Sequence, residues 1–325
     1  MTSRAITVHE TGGPEVLRLT DQEEATPGAG QVRVRTAAAG VNFIDVYFRT
    51  GLYPRPLPFV EGVEGAGTVE AVGPGETGLA VGDRVAWAGV AGSYADSVMA
   101  PADRLVRIPE GVDDRVAAAV MLQGMTAHYL AHGTRQTRPG DVALVHAAAG
   151  GTGLLLVQLL ARAGASVIGT CSTAEKEALA REAGARHVVR YTEADFAEEV
   201  RRITDGRGAD VVYDSVGRDT FEGSLASLRQ RGLLVLFGQA SGPVPPFDLN
   251  RLNPLGSLFV TRPTLAHYIQ ERAELERTAR AVFDAVEKGE LRVHIGAEYP
   301  LIEAAQAHRA LEGRRTTGKV LLIPG

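Results

Sequence analysis

Apolar residues recur along this chain in two different rhythms. From Thr2 to about Arg107 they form short runs, including Gln31 to Ala39, Gly65 to Val72, Gly82 to Ala88 and Tyr94 to Ala100, broken by Gly, Pro or Asp. Breaks about every 8–12 residues mark short antiparallel strands, so this part predicts a small β barrel. From about Gln123 short apolar runs alternate with longer ones. The short runs predict strands over Asp141 to His146, Ser166 to Gly169, His187 to Arg190, Asp210 to Asp214, Gly232 to Phe237 and Ser257 to Thr261. Helical spacing between them covers Gly153 to Ala163, Ala174 to Ala183, Ala194 to Ile203 and Thr220 to Leu228. Such alternation predicts a parallel, doubly wound α/β sheet.

The final stretch reads as a helix from Leu275 to Gly289, a connection through Arg292 to Tyr299, a helix near Ile302 to Glu312 and a strand from Gly318 to Ile323. It leaves no room to extend the parallel sheet and is expected to return to the first domain. The predicted organisation is therefore a catalytic domain of residues 1–124 and 264–325 around a dinucleotide-binding domain of residues 125–263. No internal repeat or low-complexity segment interrupts it.

Composition narrows the partners. With 325 residues, 45% hydrophobic and 22% charged, the chain is large enough for two folded domains, which excludes disordered, collagenous and small disulfide-stapled classes. Its 39 acidic and 34 basic residues are interspersed, giving a formal charge of −5, so no strong positive field would gather nucleic acid. Cys171 is alone and can close neither an intramolecular disulfide nor a multi-cysteine metal site. The segment from Met1 to Gly13 lacks a hydrophobic signal core, and no run reaches the ~18 apolar residues of a membrane span. The expectation is a complete, cytoplasmic chain with no membrane segment.

The strongest local signal follows the strand Asp141 to His146, where Ala147-Ala148-Ala149-Gly150-Gly151-Thr152-Gly153 leads into the helix Leu154 to Leu160. Gly150 and Gly151 let the backbone approach a pyrophosphate, free N–H groups of the helix N-terminus point at it, and Gly153 permits close helix-to-sheet contact. Ala147 stands where the usual GxGxxG has its first glycine. The seven residues alone are equally compatible with a structural turn; their place in a six-strand alternating unit makes them a nucleotide site.

An NAD site places Asp or Glu about 20 residues beyond the fingerprint to bind the ribose 2′-hydroxyl. No acidic residue lies between Gly153 and Ala174. That strand instead ends Gly169-Thr170-Cys171-Ser172-Thr173 and is followed by Lys176, offering hydroxyls and a cation to a 2′-phosphate. Lysine occurs only at 176, 288 and 319 in a chain otherwise reliant on Arg, which adds weight to Lys176. The cofactor expected is NADPH.

Barrel first, nucleotide domain second and C-terminal return third resembles the medium-chain dehydrogenase/reductase family. Its zinc members carry Cys, Gly-His-Glu and Cys ligands; the matching places here hold Asn42, Val63 and Leu122, and the four-cysteine lobe is missing where Ala88 to Tyr94 runs directly onward. The eight histidines show no H-E-x-x-H and no close pair on one face, so each reads as a surface or core residue. No metal is expected.

Within that family the chain resembles the zinc-free NADPH:quinone oxidoreductases, the ζ-crystallin-like group, over essentially its whole length. The resemblance rests on Gly40-Val41-Asn42-Phe43-Ile44-Asp45 with Tyr47, Arg49-Thr50-Gly51-Leu52-Tyr53-Pro54, the glycine turn, Val212-Tyr213-Asp214-Ser215-Val216-Gly217, Phe237-Gly238-Gln239, Gly256 to Pro263 and Gly318-Lys319. It implies a GroES-like barrel joined to a Rossmann domain. It also implies that Asn42, Tyr47 and Thr126 face the nicotinamide, with Asp45 and Lys319 as further cofactor contacts. Ala149, Gly150, Gly151, Thr152 and Gly153 would cradle the pyrophosphate, while Ser172, Lys176 and Tyr191 would surround the 2′-phosphate. Ser215, Phe237, Gly238, Gln239, Phe259, Val260 and Thr261 would complete the cofactor site from strand ends. Phe237 and Phe259 taken singly read as core residues, and only their positions make them candidates.

Quinone reduction needs no metal or strong acid, because the hydroquinone anion is delocalised and protonated by solvent. Asn42, Tyr47 and Tyr53 are expected to line the catalytic cleft and position the reactants. The rival reading is an NADPH-dependent enone or 2-alkenal reductase, with Tyr53 as donor to the enolate. A non-catalytic crystallin-like or RNA-associated role is the third, and the lack of a basic stripe with interleaved aromatics counts against it. The strand Ser257 to Thr261 is expected to lie at a sheet edge and to pair two chains into a homodimer.

Overall fold

The computed structural model describes residues 2–75 and 77–325. The chain begins with strands β1 (Thr2–Val8), β2 (Arg18–Glu23), β3 (Gln31–Val41), β4 (Phe59–Val60), β5 (Glu64–Val72), β6 (Arg84–Ala88), β7 (Ser97–Pro101) and β8 (Val106–Arg107). Helix α1 (Phe43–Arg49) follows β3, and the long α2 (Asp114–Tyr129) follows β8. Then come β9 (Val142–Val145), α3 (Gly151–Arg162), β10 (Ser166–Cys171), α4 (Ala174–Glu182), β11 (His187–Arg190) and α5 (Phe196–Ile203). The alternation continues through β12 (Ala209–Asp214), α6 (Phe221–Ser227), β13 (Leu228–Leu236) and β14 (Phe259–Thr261). Helices α7 (Leu265–Tyr268) and α8 (Arg272–Glu287), strand β15 (Ile295–Pro300), helix α9 (Ala304–Glu312) and strand β16 (Lys319–Ile323) close the chain.

These elements form two compact units, one reaching to Met125 and including Ile269–Gly325, the other Thr126–Tyr268. In the first, β15-β16-β3-β5-β6-β8 form a sheet with β7 paired to β3, and β2-β1-β4 form a smaller one. The C-terminal return is physical: β16 pairs antiparallel with β3, setting Val320 opposite Val41 and Leu322 opposite Ala39. Valines alternating inward from β3, β5, β6 and β7 pack on Trp87, and a second cluster joins Ile6, Val8 and Tyr94 to Ala304, Ala307 and Leu322.

The second unit carries six parallel strands in the order β11-β10-β9-β12-β13-β14. The chain winds outward from β9 to β11, then crosses back to β12, so the carboxyl ends of β9 and β12 flank the switch point where such sheets bind ligands. Side chains deposit the capping signals: Thr173 accepts from Lys176 N–H at 3.3 Å to start α4, and Asp195 accepts from Ala197 and Glu198 N–H to start α5.

Three sequence expectations need adjusting. Tyr94 lies in a turn, its N–H given to Glu61 O and its carbonyl receiving Ile6 N–H, so β7 starts later, at Ser97. Ser257 takes a left-handed φ of 55°, which interrupts extended backbone and shortens β14 to Phe259–Thr261. Helix α2 was not anticipated at all, because Val116 to Met121 is apolar all round and carries no amphipathic rhythm.

Candidate active site

In the first unit the residues at and around Asn42 form a buried polar cluster. Asn42 follows β3 and caps α1, and its N–H donates to Asp45 Oδ2 at 2.8 Å, closing the first turn of the helix. Its amide is fully used: Nδ2 donates to Gly40 O at 3.1 Å and Glu64 Oε2 at 2.7 Å, while Oδ1 accepts from Lys319 Nζ at 2.9 Å and Gln123 Nε2 at 3.1 Å. An amide has two donors and two acceptor lone pairs, so none remains for a ligand. Lys319 and Glu64 form a buried ion pair, and Glu64 Oε1 also accepts Leu122 N–H at 2.6 Å.

A second chain of buried groups steadies α1. Arg49 makes a two-pronged pair with Glu312 at 2.8 and 2.9 Å and donates to His308 Nδ1 at 3.1 Å. His308 Nδ1 is thereby an acceptor, so Nε2–H donates to the Tyr94 hydroxyl at 3.2 Å, which donates to Asp45 Oδ2 at 2.8 Å. Burial, aided by Arg49, pushes His308 down to about 3, which keeps the ring neutral. Burial raises Asp45 to about 7, and burial with the Asp45 charge raises Glu61 to about 8. Asp45 Oδ1 and Glu61 Oε2 are buried without hydrogen-bond partners.

Both carboxyl groups therefore hold protons in the folded state at pH values where the unfolded chain has released them. Their contribution to stability is complete in acid and is lost as pH rises from the ordinary carboxylate range through about 7 to 8. Glu61→Gln is expected to flatten this fall and to add about 1–3 kcal/mol at pH 8, with little effect at pH 5. Urea unfolding of both proteins at the two pH values measures it; an equal change at both would show that Glu61 titrates normally.

Tyr47 is buried on α1, and its ring meets Tyr53 edge-on at 5.2 Å, with Phe48 a further 6.0 Å contact of Tyr53. The three rings pack on one another through Tyr53. Asp45 and Lys319, expected as cofactor contacts, are buried, Asp45 Oδ2 accepting from Asn42 N–H and Lys319 Nζ donating to Asn42 Oδ1. Asn42 itself has no spare valence with which to orient a carboxamide.

In the second unit the turn after β9 keeps the dinucleotide geometry. Ala147 adopts the left-handed φ of 50° that explains the glycine usual there, at a cost of roughly 1–2 kcal/mol. Gly150 is the N-cap of α3 without any side-chain cap, which leaves the first N–H groups of the helix pointing outward. A Cβ on Gly153 would lie 2.2 Å from Ala147 O, so only glycine permits this approach. A pyrophosphate fits this cradle. Ser172 and Tyr191 directly follow β10 and β11, where Tyr191 N–H donates to Cys171 O at 3.1 Å and Thr192 to Ser172 O at 3.1 Å, and Lys176 stands in the first turn of α4. Neighbouring Arg190 is engaged by Glu177 at 3.1 Å and Glu193 at 2.6 Å.

The turn after β12 is built on Asp214. Its Oδ1 accepts Val216 and Gly217 N–H, and Thr220 and Ser224 hydroxyls complete the shell. Ser224 accepts from His146 Nε2 at 3.0 Å, and His146 Nδ1 accepts from Thr170 at 3.0 Å. Because Ser224 donates to Asp214, the ring carries its proton on Nε2. One buried chain thus ties the ends of β9, β10 and β12. Ser215 and Gly238 touch: a Cβ on Gly238 would meet Ser215 O at 2.5 Å. Phe237 and Gln239 flank this contact at the end of β13. Phe259 and Val260 lie within β14, opposite Leu233 and Leu234, and Thr261 ends it. Phe259 is 60% exposed and so is no core residue. Thr126 is buried in α2. His128 and His132 do form a close pair, ring centres 4.9 Å apart, because residues four apart share one helix face; among the described residues no three His, Cys, Asp or Glu side chains group to hold a metal.

Residues 28–110 match the alcohol dehydrogenase GroES-like domain, and residues 183–322 match the zinc-binding dehydrogenase domain. The chain is 49% identical over 315 residues to a quinone oxidoreductase of Pseudomonas aeruginosa, covering 96% of this chain and 97% of that one. The chain belongs to the quinone oxidoreductases of the medium-chain dehydrogenase/reductase family. A 2-haloacrylate reductase of Burkholderia sp. is 45% identical over 329 residues, with 98% of each chain covered. The Escherichia coli quinone oxidoreductase solved with NADPH superimposes with a TM-score of 0.97 at 43% identity, covering 99% of this chain and all of that one.

Zinc, which one of these domain names implies, does not fit this family member. Val63 and Leu122 have no donor atoms and the amide of Asn42 is spent, so three ligand places offer nothing to a cation. What stands there is the Lys319–Glu64 pair. Sequence reasoning missed Glu64 and Gln123, although both adjoin the vacated ligand places, Val63 and Leu122. That adjacency was the available signal.

Proposed function

We propose that this protein is an NADPH-dependent quinone reductase, passing a hydride or single electrons to a quinone without a metal. The observation that carries the cofactor reading is the placement of Ser172 and Tyr191 just beyond β10 and β11 and of Lys176 in the first turn of α4, with no carboxylate at the end of β10. NADPH supplies the reducing equivalents. The backbone of Ala149 to Gly153 would hold its pyrophosphate, and Ser172, Lys176 and Tyr191 its 2′-phosphate. Ser215, Phe237, Gly238, Gln239, Phe259, Val260, Thr261 and Thr126 remain candidates for the rest of the cofactor.

The substrate side needs positioning and exclusion of water more than acid catalysis. Tyr47 and Tyr53 supply flat apolar faces for a planar ring, and the buried clusters beneath hold α1 in place. The hydroquinone anion is resonance-stabilised and takes its proton from water.

Lys176→Ala is expected to raise KM about tenfold for NADPH and to leave NADH nearly unchanged, since one charge-assisted contact to phosphate is worth about 1.5–3 kcal/mol. Steady-state kinetics with the two cofactors measures this; equal effects on both mean that Lys176 does not meet the phosphate.

A second reading is reduction of an activated C=C bond, favoured by the 45% identity to 2-haloacrylate reductase. Purified protein assayed with NADPH against 1,4-benzoquinone, 9,10-phenanthrenequinone, an alkenal and 2-chloroacrylate separates the two. Turnover confined to the last two would replace the quinone reading.

We place the protein in the cytoplasm as a homodimer. The lone, buried Cys171 suits a reducing compartment. Edge strand β14 exposes Phe259 and Val260, with Leu255 also exposed, and a second copy would cover their apolar surface and pair the open backbone.

A further inference from the structure

We propose that the first unit carries a binding site for a small monocarboxylate, in a cavity where the Arg55 guanidinium donates paired hydrogen bonds to the carboxylate. The cavity, about 350 Å³ in volume, lies where β1, β2, β4 and β7 meet, and Arg55 reaches it from the loop that leads into β4. All of its lining residues belong to the first unit, and Asn42, Tyr47 and Tyr53 are not among them. The site is therefore separate from the residues proposed for the cofactor and the quinone, and it stands whether or not that reading does.

Arg55 is held in place without being satisfied. Its guanidinium carbon lies over the rings of Phe48 and Phe59, at 5.0 and 4.9 Å, within the range at which cation–π attraction fixes such a group. Ring faces engage the charge and leave the N–H donors to find acceptors elsewhere. Among the described residues, the Arg55 side chain makes no hydrogen bond and no ion pair, and its Nη1 is buried. Buried donors in folded proteins are almost always paired, so an immobilised guanidinium with no acceptor marks a place for one from outside. Glu61, whose acidity the Arg55 charge increases, does not fill that place: burial and the Asp45 charge raise it to about 8, so it is protonated at neutral pH.

The rest of the lining selects the ligand. Arg33 offers nothing further, since it donates to Glu70 at 2.6 Å and to Ala25 O at 3.2 Å and pairs with Glu24 at 3.5 Å. Glu23 and Glu24 both border the cavity, and a dianion such as phosphate would meet their charge. A carboxylate brings a single charge and two coplanar oxygens, the geometry that matches one edge of a guanidinium. Phe59, Val60 and Met99 supply apolar surface for an aliphatic or aromatic body, and the volume is that of a small-molecule site.

The probe is 4-fluorobenzoate, titrated against the full chain and followed by ¹⁹F NMR. A saturable shift is expected, with binding at least about tenfold weaker for the neutral isostere 4-fluorobenzamide and at least about tenfold weaker in Arg55→Met, as loss of a charge-assisted pair requires. Position is read from the Met99 methyl group, which alone among those of Met99, Met121 and Met125 lines the cavity; ring protons of bound 4-fluorobenzoate are expected to show a nuclear Overhauser effect to it. Should circular dichroism show Arg55→Met unfolded, Arg55→Lys, which keeps the charge and loses the fork, is expected to weaken binding about threefold to tenfold. Absence of saturation in the wild type, equal binding of the amide, unchanged affinity in the folded variant, or saturation without a Met99 contact each overturns the proposal.

Discussion

Lys319→Met is expected to lower folding stability by about 3–5 kcal/mol at neutral pH, the cost of leaving one member of a buried ion pair uncompensated. Lys319 and Glu64 are both essentially inaccessible, and the lysine also donates to Asn42 Oδ1 at 2.9 Å. Removing the ammonium leaves the Glu64 carboxylate facing Asn42 Nδ2 and Leu122 N–H, two neutral donors against a full buried charge. The double variant Glu64→Gln with Lys319→Met removes that charge and is expected to regain more than half of the loss, since a neutral pair pays no ionic desolvation. Urea unfolding of the wild type, both single variants and the double variant closes the cycle. A single-variant loss below about 1 kcal/mol would mean that water reaches Glu64 and that the pair is a surface one.

Asp214→Ala is expected to cost a similar 3–5 kcal/mol and, unlike the first, to weaken dinucleotide binding at the same time. The carboxylate receives two backbone N–H groups, from Val216 at 2.8 Å and Gly217 at 3.0 Å, and the hydroxyls of Thr220 and Ser224. Alanine strands all four. Ser224 then loses the acceptor that fixes its proton, and with it the direction of the bond to His146, the residue leading into the glycine turn. NADP⁺ affinity should fall at least tenfold, read by calorimetry below the melting temperature of the variant. Ser224→Ala is the milder comparison, keeping the Val216 and Gly217 contacts. Unchanged affinity in Asp214→Ala would show that the turns after β9 and β12 are shaped independently.

Much of the fold was legible because its signals are local. Six apolar runs spaced by helical segments specify a parallel sheet, and β11 occupies His187–Arg190 as the run predicts. Edges were less legible: a single left-handed residue, Ser257, trims β14, and no pattern of apolar residues reports a φ angle. Helix α2 shows no rhythm for the opposite reason, its middle, Ala117 to Met121, being buried on every side. At the site, the glycine turn and the hydroxyl and lysine groups beyond β10 were readable from order along the chain. The roles of Asn42, Asp45 and Lys319 were not, because a residue type states what bonds it is able to make and not which ones are already made.

The sequence by itself determined the two-unit architecture, the family, the dinucleotide turn and the lack of zinc donors at Asn42, Val63 and Leu122. Each follows from residue type and spacing over a few tens of residues. Tertiary structure alone decided that the Asn42 amide is saturated and that Glu64 and Lys319 form a buried pair beside it. The partners of that cluster lie 22, 81, 255 and 277 positions apart in sequence. Hydrogen bonds act over about 3 Å in space, so only the folded chain determines which of its polar atoms are already satisfied.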